Sequence, residues 1–364
     1  MNKEKEQAED WIYLIDNLTR IEKRKVCTII GTRISKLKNE GPLTFSDFEI
    51  LELGLIEGKA TDYVEKFLSS AITKTGIPAY ICSDQGSDII PGIKRILNTY
   101  PSIKHIPDVI HATANMLKKV FQKKTRWEKF CKQIGKTKNK LKQSKYCELC
   151  PPQIRGKSRF LNCVVLINWA LRVIELLENK ECNNEITLKL GWLFDYKKDI
   201  LEFHEMITLV RLTNEYVRQK GISKDTWRDV NLLFEEEKKS KKSKELAASI
   251  IEFLKKLSAD AGEHVIVGST EILESGYGKA KTLDRECGNS GFTGSILGLA
   301  ACFGKFDCEA VLEALEATPN KNIEQWKQRV IGETQQSKRR KTLRTNKQES
   351  IQSKLTRIKG RKKE

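Results

Sequence analysis

The hydrophobic pattern of the chain changes twice, and this limits the folds open to it. Between Asp10 and His111 the apolar residues come in short runs rich in β-branched side chains: WIYLI closed by Asp16, VCTII after Lys25, AYIC (Ala79 to Cys82) ahead of Asp84, and IKHIP before Asp108. Runs of that length, bounded by breakers such as Gly76-Ile77-Pro78, read as buried strands. From about Ala112 to Ala261 the spacing turns helical, with stripes such as Leu166, Ile167, Ala170, Val173, Ile174 and Leu177. After Ala261 a short strand, HVIVG, returns, followed by helices from about Thr270, over GSILGLAACF and over Cys308 to Ala317.

The pattern predicts an α/β sheet domain interrupted by a large all-helical insertion. Its parts are residues 1–111, the insertion 112–261, the remainder of the sheet domain 262–335 and a basic tail 336–364. Within the first part, Asp10 to Asp16 and Lys25 to Arg33 suit an antiparallel pair. A helix over Asp62 to Lys74 carries the stripe Val64, Phe67, Leu68, Ala71 and Ile72. A second helix follows with Ile93, Ile96 and Leu97, and a last short strand leads to Asp108 and His111.

The formal net charge is +18. Residues 118–145 hold twelve Lys/Arg against Glu128, and residues 338–364 hold twelve against Glu349 and Glu364. These two blocks exceed the whole surplus, so the rest of the chain is slightly acidic. Charge concentrated in this way suits polyanion-binding surfaces. The tail composition predicts no fold of its own when free.

No signal or membrane segment is expected. The N-terminus MNKEKEQAED is densely charged, and the most apolar stretch, CVVLINWALRVIELL, is broken by Asn168, Arg172 and Glu175. A cytoplasmic, nucleoid-associated protein is the expectation. The ten cysteines are scattered, and Cys147-Glu148-Leu149-Cys150 lacks a second pair at zinc spacing.

Asp16 and Asp84 each close a predicted strand. If the strands are neighbours, both carboxylates emerge at one sheet edge, where open α/β sheets bind ligands. Carboxylates so placed repel unless a cation lies between them, and an all-oxygen set suits Mg²⁺ or Mn²⁺. A third carboxylate is expected in STEILESGYGKAK. Glu274 and Lys281, seven apart, share a helix face; Glu271 competes for the role. Gly276 and Gly278 in that helix predict close approach of another backbone.

Taken in order, WIYLID, SDQGSDIIPGI, Asp108-Val109-Ile110-His111, PPQIRGKSRFLN and TEILESGYGKAK with GNSGFTGSILGLAA resemble the DDE transposases of bacterial insertion sequences. The resemblance runs from Trp11 to about Arg340. It implies an RNase H-like catalytic domain with a helical insertion, and a DNA transposase that cleaves and transfers strands at element ends. Asp16, Asp84 and Glu274 would be catalytic and would hold two Mg²⁺ (or Mn²⁺) ions. Asp108 and His111 match an Asp-x-x-His signature near such sites.

Lys281 would hold DNA, and Lys118, Lys119, Lys123, Lys124 and Arg126 would carry its backbone. The expected partner is double-stranded DNA, bound by a dimer or larger assembly. Val267 and Thr270 stand where the YREK form of the glutamate motif has tyrosine and arginine. Relatives carry an N-terminal DNA-binding domain, and only fifteen residues precede Asp16. A shortened chain is therefore expected, or end recognition moved into the insertion or tail; Val217 to Val230 reads as a helical hairpin or a helix-turn-helix around Gly221. The alternative is a catalytically inactive or domesticated remnant that binds nucleic acid.

Overall fold

The computed structural model describes residues 4–21, 24–37, 41–56, 58–122, 125–153, 159–179, 184–286, 298–303, 308–333, 338–339 and 341–342. It is a mixed α/β structure. Five strands form one sheet: β1 (Trp11–Ile21), β2 (Arg24–Arg33), β3 (Glu49–Ile56), β4 (Tyr80–Ser83) and β5 (Lys104–Pro107), in the order β3-β2-β1-β4-β5. β2 runs antiparallel to both β1 and β3, while β4 lies parallel to β1 and β5 parallel to β4.

Strand alternation divides the core. Trp11, Tyr13, Ile15, Cys27, Ile29 and Ile81 face α1 (Ala60–Thr75) and α2 (Ile90–Thr99). Ile12, Leu14, Val26, Ile30, Tyr80, Cys82 and Ile106 face the other way, into a larger core shared with the later helices. With both faces covered, Trp11 to Ile15 of β1 read as a continuous apolar run with no polar side.

The helices of that second layer are α3 (Val109–Gln122), α4 (Thr125–Leu141), α5 (Arg159–Glu178), α6 (Asn184–Leu190), α7 (Lys197–Lys220), α8 (Thr226–Leu233), α9 (Lys241–Ala261) and α10 (Glu271–Glu286). Two seams hold the segment that follows α9. Ile222 and Ile266 form an antiparallel bridge, and the Val109 amide donates to the Gly268 carbonyl at 2.9 Å. Gly221, at φ 68°, closes α7 where an L side chain is disfavoured.

Several expectations change. β1 does not stop at Asp16; the strand continues to Ile21, because β2 pairs with it as far as Arg24. The β3 strand adds an antiparallel edge that the sequence reading leaves out. HVIVG contributes one isolated bridge and no strand. β5 ends at Pro107, so His111 lies in the first turn of α3. Most of GNSGFTGSILGLAA and of the basic tail falls outside the described residues.

Candidate active site

Parallel pairing between β1 and β4 ends at Ile15↔Ser83, so Asp16 and Asp84 are the next residues in register on adjacent strands. Asp16 shares the parity of Ile12 and Leu14 and so belongs to the face covered by the later helices. Asp84 opens the turn after β4, where its Oδ1 accepts the Gly86 amide at 2.9 Å. A Cβ on Gly86 would stand 2.9 Å from carboxylate oxygens of both Asp84 and Asp88, so the turn is built around a residue without one. Asp88 itself is held by Lys25 Nζ at 2.8 Å and Asn17 Nδ2 at 3.3 Å. Asp88 thus fastens the turn to β1 and β2.

The third carboxylate arrives on α10, which two anchors tie to the sheet. At its start, the Thr270 amide and hydroxyl donate to Asp108 Oδ2 at 2.7 and 2.6 Å. Two turns on, the hydroxyl of buried Tyr277 donates to the main-chain carbonyl of Asp16 at 2.9 Å. Glu274 lies between these anchors. Gly276 lets the buried Phe303 ring approach, since a Cβ there would stand 2.2 Å from it. The close approach expected at this glycine is therefore by a ring and not a backbone. At Gly278 none occurs among the described residues.

Asp108 organises a second link. It is 1% exposed, and its Oδ1 accepts the His111 amide at 2.8 Å, capping α3. His111 Nδ1 stands 3.5 Å from Asp108 Oδ2, an ion-pair contact too long for a good hydrogen bond, and His111 Nε2 stands 3.3 Å from Glu274 Oε1. The imidazole therefore bridges a buried carboxylate and a half-exposed one.

These contacts set the charges. Burial pushes the Asp16 carboxyl up to about 7, and the charges of Asp84 and Glu274 add to the rise despite a hydrogen bond from the Asn17 amide. Burial also raises Glu274, with Asp108, Glu271 and Asp84 contributing and His111 opposing. The Asp108 side chain beside it, with Glu274 and Asp84 nearby, raises His111 to about 9. Burial alone would raise Asp108; the donors of His111 and Thr270 outweigh it and hold the carboxyl below its ordinary range.

Glu271 points elsewhere. Both its oxygens accept from Arg218, at 2.9 and 2.8 Å, one turn before Glu274. There it lines a cavity of about 240 Å³ with Leu37, Phe48, Val217, Val267 and Ile272; Asp16, Asp84 and Glu274 do not line it.

Two aspartates and a glutamate make a hard, all-oxygen donor set, and the raised Asp16 carboxyl marks a position that a cation would relieve, so the residues fit Mg²⁺ or Mn²⁺ in donor chemistry. Among the described residues, however, no three His, Cys, Asp or Glu side chains lie close enough together to enclose an ion. Glu274 rests against His111 instead.

The expected DNA-contacting cations fare unequally. Lys281 is exposed on α10, and Lys118 and Lys119 are exposed on α3. Lys123 and Lys124 lie outside the described residues. Arg126 is engaged within the protein: it pairs with Asp199, donates to the Asp195 carbonyl and lies over the Tyr196 ring at 5.2 Å. Lys145 pairs with Glu185 at 3.0 Å. Between them, α4 buries Phe130, Ile134, Thr137 and Leu141 and leaves Lys129, Lys132, Lys136 and Lys140 exposed along the opposite face.

Sequence reasoning missed Tyr277, Thr270 and this α4 face. The α4 stripe is readable from spacing, whereas the two anchors depend on residues far away in the chain. Among the described residues no helix is long and apolar enough to cross a membrane. Compared with known proteins, the chain matches no family model and no curated protein.

Proposed function

We propose that this chain is a DNA phosphoryl-transferase of the DDE transposase kind, cleaving and joining strands at the ends of an insertion sequence. The observation that carries the reading is the register: Asp16 and Asp84 follow directly on the last pair of two parallel neighbouring strands, and α10, which carries Glu274, is tied to Asp16 through Tyr277. The strand order β3-β2-β1-β4-β5, with three antiparallel strands and two parallel ones, supports an RNase H-like catalytic domain. The helices from α3 to α9 are then an insertion between its two parts.

Asp16, Asp84 and Glu274 would hold the Mg²⁺ or Mn²⁺ ions, which when bound activate the attacking hydroxyl and stabilise the departing oxygen of an in-line displacement. The protein's own share is positional. Asp108 orients His111 against Glu274, and Thr270 and Tyr277 hold α10 at a fixed distance from β1. Lys281, Lys118, Lys119 and the α4 lysines neutralise the duplex backbone outside the site.

Nicking of supercoiled DNA in Mn²⁺ tests the reading. Asp84→Asn should abolish nicking and leave DNA binding nearly intact, and full nicking by that variant overturns the assignment. Binding without nicking by the wild-type protein would identify the inactive remnant instead.

A further inference from the structure

Two glycines lie inside α10, and they answer to different neighbours. The ring of Phe303 accounts for Gly276. Gly278 is exposed, and among the described residues no atom lies within 4 Å of the point a Cβ would occupy. Glycine is the least favourable ordinary residue in a helix interior, because it surrenders the most backbone freedom and covers none of the backbone. Packing among the described residues gives no reason for it here. The remaining structural use of such a residue is to let another backbone come close.

The position of Gly278 says which backbone. It follows Glu274 by four residues and precedes Lys281 by three, so the three lie within an arc of about 60° on one face of α10. All three are exposed. The face starts at Glu274 and ends in a cation, with the bare backbone of Gly278 between. At the site end it meets α3 through the 3.3 Å contact of His111 with Glu274, and Asn115 and Lys118 continue the His111 face of α3 outward, both exposed. An extended polyanion leaving the carboxylates would run over this strip.

We infer that the Glu274–Gly278–Lys281 face of α10 is a track for a phosphodiester backbone, with Gly278 its point of closest approach. The inference rests on the phosphoryl-transfer reading for the identity of the polyanion. Any side chain at 278 would lift the strand off the helix and draw the reacting phosphate away from Glu274.

The test sets stability against binding. Gly278→Ala, Gly278→Leu and Lys281→Gln are compared with wild type by thermal unfolding, by fluorescence anisotropy with a labelled mixed-sequence duplex, and by nicking in Mn²⁺. Gly278→Ala should raise the melting temperature by roughly 2 °C, as an exposed helix glycine predicts. It should also weaken duplex binding by roughly tenfold, which is about 1.4 kcal/mol. Gly278→Leu should bind still more weakly at unchanged or higher stability, and Lys281→Gln should weaken binding and lower its salt dependence.

Duplex binding by Gly278→Ala and Gly278→Leu equal to wild type overturns the track. If the wild-type protein nicks while these variants bind and nick as it does, the track fails and the phosphoryl-transfer reading stands. If wild type binds but never nicks, and the variants bind weakly, the track stands and the catalytic reading fails. Absence of duplex binding by the wild-type protein overturns both.

Discussion

The Tyr277 hydroxyl donates its hydrogen to the main-chain carbonyl of Asp16, 2.9 Å away and 261 residues earlier in the chain. One hydrogen bond from a buried tyrosine thus fixes the helix that carries Glu274 against the strand that carries Asp16. Removing it should loosen the helix without emptying its seat. Tyr277→Phe is expected to cost about 1 kcal/mol of stability, the usual net value of such a bond. Under the proposed chemistry it should also slow nicking more than it weakens duplex binding, as single-turnover assays beside chemical denaturation would reveal.

Asp108 carries the other anchor, and its expected loss is larger. Asp108→Asn replaces an oxygen that accepts from the Thr270 amide and hydroxyl by an amide group that donates, or turns that group against the His111 amide. At a residue 1% exposed this should cost about 3 kcal/mol. Thr270→Val removes one donor only and should cost about 1 kcal/mol. Equal effects of the two substitutions in urea titrations would contradict this account.

The same carboxylate gives a pH dependence with a definite sign. Its folded form is more acidic than the ordinary carboxylate near 3.8, so the unfolded chain binds the proton more readily. The stabilisation is therefore complete above that ordinary value and is lost as pH falls through the lower, folded one. Wild-type stability should drop more steeply than that of Asp108→Asn on acidification below about pH 4. Parallel curves would show that Asp108 is not the group responsible.

Glu274 and Glu271 separate by environment. Glu271→Gln breaks a surface pair with Arg218 and should change stability by less than about 1 kcal/mol, with nicking retained. Glu274→Gln should abolish nicking and leave folding and duplex binding close to wild type. The reverse outcome would transfer the third carboxylate to Glu271.

For the basic block, the exposed α4 stripe should matter more than its ends. Replacing Lys129, Lys132, Lys136 and Lys140 together by Gln should lower the salt slope of duplex binding by roughly 3 to 4, since each neutralised phosphate contributes about 0.9. Arg126→Gln should instead reduce stability, because Asp199 loses its partner, and leave the slope nearly unchanged. Anisotropy titrations across a range of salt concentrations decide between them.

Much of this architecture is legible in the sequence for a plain reason. A strand buried on both faces must be apolar throughout, so Trp11 to Ile15 and Tyr80 to Cys82 announce themselves, and the aspartates that follow them are conspicuous. The end of β1 is not legible, because β2 supports its polar continuation past Asp16. β3 carries Glu49 and Glu52 three residues apart among apolar residues, and its sequence EILELGLI suits an amphipathic helix as well as an edge strand. The seven-residue spacing finds Glu274 and Lys281 but leaves Glu271 in contention, since the choice depends on Arg218, far off in the chain. Likewise nothing local distinguishes Gly276 from Gly278; only the position of Phe303 does.

The bond between Asp108 and Thr270 spans 162 residues. Contacts of such range form slowly, because the loop between them must close before they return any stabilisation, and domains fold progressively as a chain is synthesised. During translation the ribosome delivers both aspartates and their strands long before α10. A nascent or prematurely terminated chain therefore has the sheet without Glu274, and under the proposed chemistry strand cleavage would wait until synthesis has passed residue 277 and α10 has docked.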